Sequence, residues 1–210
     1  MITTTPKRGW AHTEVAGEVG RRLAVPVAFD TDVNAAALGE YRWGALQGLD
    51  VCCYVTVGTG IGGGVLVGGT PLHGLQHPEV GHLRIPHDRD EDPFPGVCPF
   101  HGDCWEGLAS GPALEARWGR PADELEDGAP WALEARYLAL GLVALTAVVS
   151  PRRIVLGGGV LGHPGLLELV QRQLDQLVSG YVAVPELVAP ALGARAGVLG
   201  ALALAESILD

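Results

Sequence analysis

The chain has 210 residues, 14 of them basic and 24 acidic, for a formal charge of −10; 48% are apolar and 18% charged. That length and balance describe a globular chain with one or two domains and a sizeable core, and exclude a disordered one. With Lys7 as its one lysine and no basic stripe, the chain offers nothing to a nucleic acid or an anionic membrane.

Residues 1–10 are polar and carry no leader pattern. Thr13 is placed to cap a helix running to residue 23, and 26–29 reads as a short strand. Asp32 opens a second helix over 33–43, closed by Gly44. Strands are expected at 51–57 and 64–67, joined by the glycine-rich stretch 58–63. Cys52 and Cys53, adjacent in the first of these, point to opposite faces. A long irregular segment, 70–100, is rich in proline and histidine; loops of that length are typically functional or disordered. Helices follow over 105–118 and 130–149. The apolar run 137–149 is too short to span a bilayer and stops at Ser150-Pro151. Residues 154–156 form a buried strand leading into Gly157-Gly158-Gly159. A helix over 164–178, a strand near 186–189 and an alanine-rich final helix complete the chain. Strands alternating with helices predict an α/β fold with sites at the carboxyl ends of strands.

The string from Gly58 to Gly63 satisfies G-x-G-x-x-G, but a dinucleotide fingerprint needs a helix next, and here a strand follows. A hairpin turn whose amides wrap a phosphate remains, beside the plainer reading of a tight turn without a ligand. No Gly-Lys-Ser/Thr exists, so a Walker loop is excluded. Gly157-Gly158-Gly159 is either a simple connector or a seat for a flat base.

Cys98-x-x-His101-x-x-Cys104 brings three metal ligands into one loop, and His82 lies sixteen residues upstream. Two thiolates and two imidazoles suit a closed, structural, tetrahedral zinc site. Four cysteines without a leader favour a reducing, cytoplasmic compartment and metal ligation over disulfides. Glu79 and Glu106 flank the cluster. Held together, they suit a polyhydroxyl ligand; taken singly, they are solvated loop charges.

Three stretches together resemble the ROK family of sugar kinases and repressors: 29–36 (Phe-Asp-Thr-Asp-Val-Asn-Ala-Ala), 57–64 (Val-Gly-Thr-Gly-Ile-Gly-Gly-Gly) and 77–82 (His-Pro-Glu-Val-Gly-His). The segment 98–111 is similar to the fructokinase branch in particular. The resemblance implies an actin-like (ribonuclease H-like) two-lobed α/β fold with ATP, its Mg2+ and a hexose, fructose favoured, in the cleft. It assigns Asp32 as the catalytic carboxylate, orienting a sugar hydroxyl and accepting its proton at a helix N-terminus that favours negative charge. It places Glu79, His82 and Glu106 on the sugar, with one nitrogen of His82 on zinc and the other on a hydroxyl. Thr59 and Gly60 fall on the second phosphate loop, and Gly158 and Gly159 on the adenosine loop. Family members commonly pair, so a homodimer is an expectation.

Thr31 stands where the family usually has Asn. The family's opening Asp-x-Gly-Gly-Thr turn is not found; Leu66-Val67-Gly68-Gly69-Thr70 lacks the aspartate. The expected organisation is therefore a remnant of the N-terminal lobe in 1–48 and most of the C-terminal lobe in 49–210, with impaired phosphoryl transfer. Two other functions stay open on sequence: the sugar-sensing domain of a repressor, and a non-catalytic zinc- or sugar-binding fragment.

Overall fold

The computed structural model of the chain describes residues 9, 10 and 12–209; the polar start that bears on targeting lies mostly outside the described residues. A five-stranded mixed sheet organises them: β1 (Val51–Val57), β2 (Ile61–Val67), β3 (Thr70–Pro71), β4 (Arg153–Gly157) and β5 (Glu186–Val188). Their spatial order is β3-β2-β1-β4-β5, antiparallel from β3 to β1 and parallel from β1 to β5.

Helices cover both faces. On one lie α2 (Asp32–Trp43) and α7 (Ala196–Glu206), packed together and against Cys52, Tyr54, Leu66 and Val155. On the other lie α3 (Trp105–Ala109), α5 (Ala129–Val149) and α6 (Leu166–Val178), against Cys53, Val55, Val57, Ile154 and Leu156. The two cysteines thus face opposite cores, as strand alternation requires. Burial pushes the Cys52 thiol up to about 11, and Cys53 further.

By length and composition α5, at 21 residues, could cross a membrane, so the run ending at Val149 is longer than the sequence reading allowed. Half of it is buried in this core against α6 and α3. A helix apolar on most sides is one that neighbours enclose.

Several local expectations are corrected. The first helix, α1 (Val15–Leu23), follows Glu14 and not Thr13, and takes no side-chain cap. Residues 26–29 form no strand: they are irregular, and no ladder partner lies beside them among the described residues. The expected helix over 105–118 is two, α3 and α4 (Gly111–Trp118), broken at Ser110, whose ψ of 164° is extended. Pro112 has no N–H to give the Leu108 carbonyl and its ring would clash there, so α3 cannot run on through it. The helix expected from residue 164 begins at Leu166, after a 3-10 turn over Val160–Gly162.

β2 starts at Ile61 and absorbs Gly62 and Gly63, expected in the loop, and close packing explains why glycines stand along it. A Cβ on Gly64 would stand 2.7 Å from the Val33 carbonyl oxygen, and one on Gly63 2.3 Å from a Val80 methyl. The N-terminal end of α2 and the 3-10 turn at Val80–His82 can therefore lie directly on β2.

Candidate functional site

The β1–β2 turn is three residues, Gly58-Thr59-Gly60. The Gly58 amide donates to the Gly60 carbonyl at 2.9 Å, and the Gly111 amide donates to the Gly58 carbonyl at 2.7 Å. The Ile61 amide donates to a Glu106 carboxylate oxygen at 2.9 Å. Among the described residues this leaves the amides of Thr59 and Gly60 as the unengaged donors at the exposed tip. A turn with two free, adjacent amides is an anion-binding concavity.

Asp32 lies at the first position of α2, on the flank of that hairpin, and its side chain is exposed. Thr31 is the N-cap: its hydroxyl accepts from the Asn34 amide at 3.1 Å, and its own φ −72°, ψ 155° is the extended geometry a cap needs. The residue that departs from the family pattern thus fixes where Asp32 begins the helix. Asp30 accepts from the Thr31 amide and from Asn34 Nδ2, both at 2.7 Å, and faces His73 Nε2 at 3.2 Å. These partners were missed in the sequence; a Thr ahead of an apolar-periodic run was the available signal for the cap.

Glu79 and His82 sit at the 3-10 turn beside β2, where a Cβ on Gly81 would stand 2.0 Å from the Ile61 carbonyl oxygen. Glu79 is exposed, and His77 Nε2 stands 2.8 Å from its Oε1. Glu106, on α3, reaches the hairpin from the same face as that 3-10 turn, on which α3 packs. The structure thus gathers Asp32, Thr59, Gly60, Glu79, His82 and Glu106 around one short ladder.

Gly158 follows β4 at φ +98°, and a Cβ there would stand 2.2 Å from the Val57 carbonyl oxygen, so only glycine lets β4 end against β1. Gly158 borders a cavity of about 480 Å³ with Tyr54, Thr56, Pro190 and Gly197. Gly159 borders a second, of about 360 Å³, walled by Trp131 and His163, whose rings stack at 3.7 Å.

The four expected metal ligands converge. Their ligand atoms all lie within 4.8 Å of one another. His82 Nδ1 stands 3.7 Å from Cys98 Sγ and 3.6 Å from Cys104 Sγ, and His101 Nδ1 stands 3.7 Å from Cys98 Sγ. Zinc bonds of about 2.0 Å to nitrogen and 2.3 Å to sulfur give tetrahedral edges of about 3.3–3.8 Å, so the donor set fits the ion. Both thiols are buried and free. Burial pushes Cys104 up to about 11, so a cation is what would hold it as a thiolate. His82 turns Nδ1 to the thiols, and its Nε2 has no hydrogen-bond partner among the described residues.

The loop is stitched from behind. The Cys98 and Gly102 main chains exchange two hydrogen bonds, at 3.1 and 2.9 Å. Asp103 receives Arg89 at 2.6 Å, Arg84 at 3.1 Å and the buried His87 at 3.3 Å. Hydrogen bonds from Arg89 first, then His87, hold its carboxyl below the usual aspartate range.

A mixed sheet clothed on both faces, with a free-amide hairpin, a carboxylate at a helix start and a glycine turn after the next parallel strand, defines an actin-like ATPase fold. The chain belongs to the ROK family, whose model matches residues 1–208. It stands in the fructokinase branch: it is 48% identical over 217 residues to the fructokinase of Zymomonas mobilis, covering 97% of this chain and 70% of that protein. The ROK hexokinase of Thermus thermophilus superposes with a TM-score of 0.85 at 32% identity, over 99% of this chain and 74% of that one. A ROK family glucokinase from Streptomyces griseus, solved with glucose and AMPPNP, gives 0.77 at 29% identity, over 97% and 76%.

Proposed function

We propose that this chain carries the sugar site, the catalytic carboxylate and the second phosphate loop of an ATP-dependent hexose kinase, with fructose as the favoured acceptor. The observation that carries the reading is the Thr59–Gly60 turn, its two amides free and Glu106 clasping its base. A sugar sensor has no need of such a turn, which favours the kinase over the repressor reading.

Asp32 orients the attacking hydroxyl and takes its proton as the phosphoryl group moves. Glu79, Glu106 and the free Nε2 of His82 receive the remaining hydroxyls, each carboxylate able to accept two hydrogen bonds. The Thr59 and Gly60 amides hold the transferred phosphate, while Gly158 and Gly159 let the adenosine half lie against the main chain. Mg2+ travelling with ATP supplies charge neutralisation between the phosphates. Zinc on His82, Cys98, His101 and Cys104 is structural and fixes the sugar-facing edge of the loop. Free thiols suit a cytoplasmic setting.

The lobe division at 48/49 belongs to the same reading: α2 brings the catalytic carboxylate to the sheet of the other lobe. These 210 residues contain no Asp-x-Gly-Gly-Thr turn, so they hold one of the two phosphate grips such a reaction uses. Turnover by these residues alone is expected to fall below the ordinary kinase range of about 1–100 per second, since phosphoryl transfer is mostly positioning. The test is a coupled assay of ADP release with fructose, mannose and glucose, paired with equilibrium sugar binding. Slow, fructose-preferring transfer with intact fructose binding supports the reading. Zinc-loaded protein that binds no hexose overturns it.

A further inference from the structure

Glu40 is a carboxylate with no exposed surface, on the inner face of α2. No cation faces it. Its Oε2 accepts from the Ala45 amide at 2.7 Å and the Ala191 amide at 3.2 Å, and its Oε1 from the Leu192 amide at 2.9 Å. One side chain therefore ties the end of α2 to a segment about 150 positions away in sequence. The turn is shaped around it: a Cβ on Gly44 would stand 2.0 Å from Glu40 Oε2.

The tethered segment is the crossover from β5 to α7. Ala189, Pro190, Gly193 and Ala194 from it, with Gly197 at the start of α7, line the cavity of about 480 Å³ together with Gly157 and Gly158. Among the described residues, no other buried charged side chain bonds to this segment. Pro190 meets Gly157 closely, a Cβ there standing 3.0 Å from its ring, so a shift of the crossover would change the cavity directly.

We infer that Glu40 is a positioning residue for the nucleotide, fixing the 189–197 wall against the glycine turn so that the adenosine side of ATP meets a preformed cavity. This rests on the kinase reading above. The chemistry is in the acceptor count. A carboxylate offers acceptors on both oxygens; the amide of Gln offers one oxygen and turns an N–H2 toward a backbone N–H that has nowhere else to bond.

The experiment compares the chain with Glu40→Gln and Gly44→Ala, using a fluorescent ADP analogue for nucleotide affinity, fructose titration for sugar affinity and elemental analysis for zinc. Glu40→Gln is expected to weaken the ADP analogue about tenfold or more, with fructose affinity and zinc content unchanged. Gly44→Ala keeps the carboxylate but displaces it, and should move nucleotide affinity the same way; it decides the question if Glu40→Gln does not fold. Unchanged nucleotide affinity in a folded variant overturns the inference. So does a parallel loss of nucleotide, sugar and zinc, which would mark a purely structural residue. If the unsubstituted chain binds fructose and zinc but no ADP analogue, the nucleotide reading itself fails and the inference falls with it.

Discussion

Glu106 reaches across 45 positions of sequence to accept the amide hydrogen of Ile61 at 2.9 Å, and the same Oε2 lies 2.5 Å from where a Cβ on Gly60 would stand. The carboxylate expected to hold sugar thus also braces the turn expected to hold phosphate. Gly60→Ala should push that carboxylate off Ile61, because the far end of a flexible side chain is what gives way. The expected result is a joint loss, with sugar and nucleotide affinities both falling about tenfold, the scale of one charge-assisted hydrogen bond. Separate titrations of fructose and a non-hydrolysable ATP analogue check it. A change in one affinity alone would show that the two sites are not mechanically joined through Glu106.

The metal loop is joined to the core as firmly as it is to itself. Cys104 immediately precedes Trp105, which is fully buried and packs so closely on α5 that a Cβ on Gly141 would stand 2.1 Å from its ring. Cys104→Ser should therefore release the ion and also loosen α3 beneath Glu106. About one zinc per chain is expected in unsubstituted protein, and close to none in the variant, with a melting temperature lower by about 4 °C or more. Elemental analysis and a thermal melt measure both. Chelator-free protein without zinc would remove the site.

How far these features could be read in advance depends on how local their causes are. The Cys98-x-x-His101-x-x-Cys104 ligands lie in one loop, and their spacing suffices to predict convergence. The acidic start of α2 and the turn after β4 are likewise local punctuation. The break at Ser110 is also local, written in Gly111-Pro112, but the apolar pattern running through it hides it. β2 taking up Gly62 and Gly63 was beyond sequence, because those glycines answer Val33 and Val80 from other elements. Glu40 was invisible for the same reason: a glutamate in a helix reads as solvated until Ala191 and Leu192 are brought to it.

Asp32 is exposed beside the hairpin, and among the described residues its Oδ1 accepts just its own neighbour's amide, that of Val33, at 2.9 Å. Asp32→Asn keeps the shape and that contact, and Thr31 still caps the helix. In a transfer-competent form of the protein, turnover should fall by about two to four orders of magnitude, the usual worth of a general base, with sugar affinity nearly unchanged. Steady-state kinetics alongside sugar binding separate the two quantities. Near-full turnover would move the role of base to another carboxylate, with Glu106 the next in reach of the hairpin.

Glu134 gives a pH dependence of stability that is independent of catalysis. It is fully buried on α5, and neither carboxylate oxygen has a hydrogen-bond partner among the described residues. Loss of hydration raises its pKa well above the ordinary 4.5, against a smaller opposite pull from Arg117. The folded state therefore holds this proton more tightly than the unfolded chain does. For an acid shifted in that direction, the stabilisation is fully present below the unfolded value and drains away as pH rises from about 4.5 toward the folded pKa. Glu134→Gln removes the titration and keeps the shape of the neutral acid. Its melting temperature should match or trail the unsubstituted chain near pH 4.5 and exceed it near pH 8. Each 1 kcal/mol recovered raises the melting temperature by about 2–4 °C in a chain of this size. Thermal melts of both proteins across that window test the sign. A constant difference between them at every pH would mean that Glu134 is ionised in the folded protein, held by Arg117 after all.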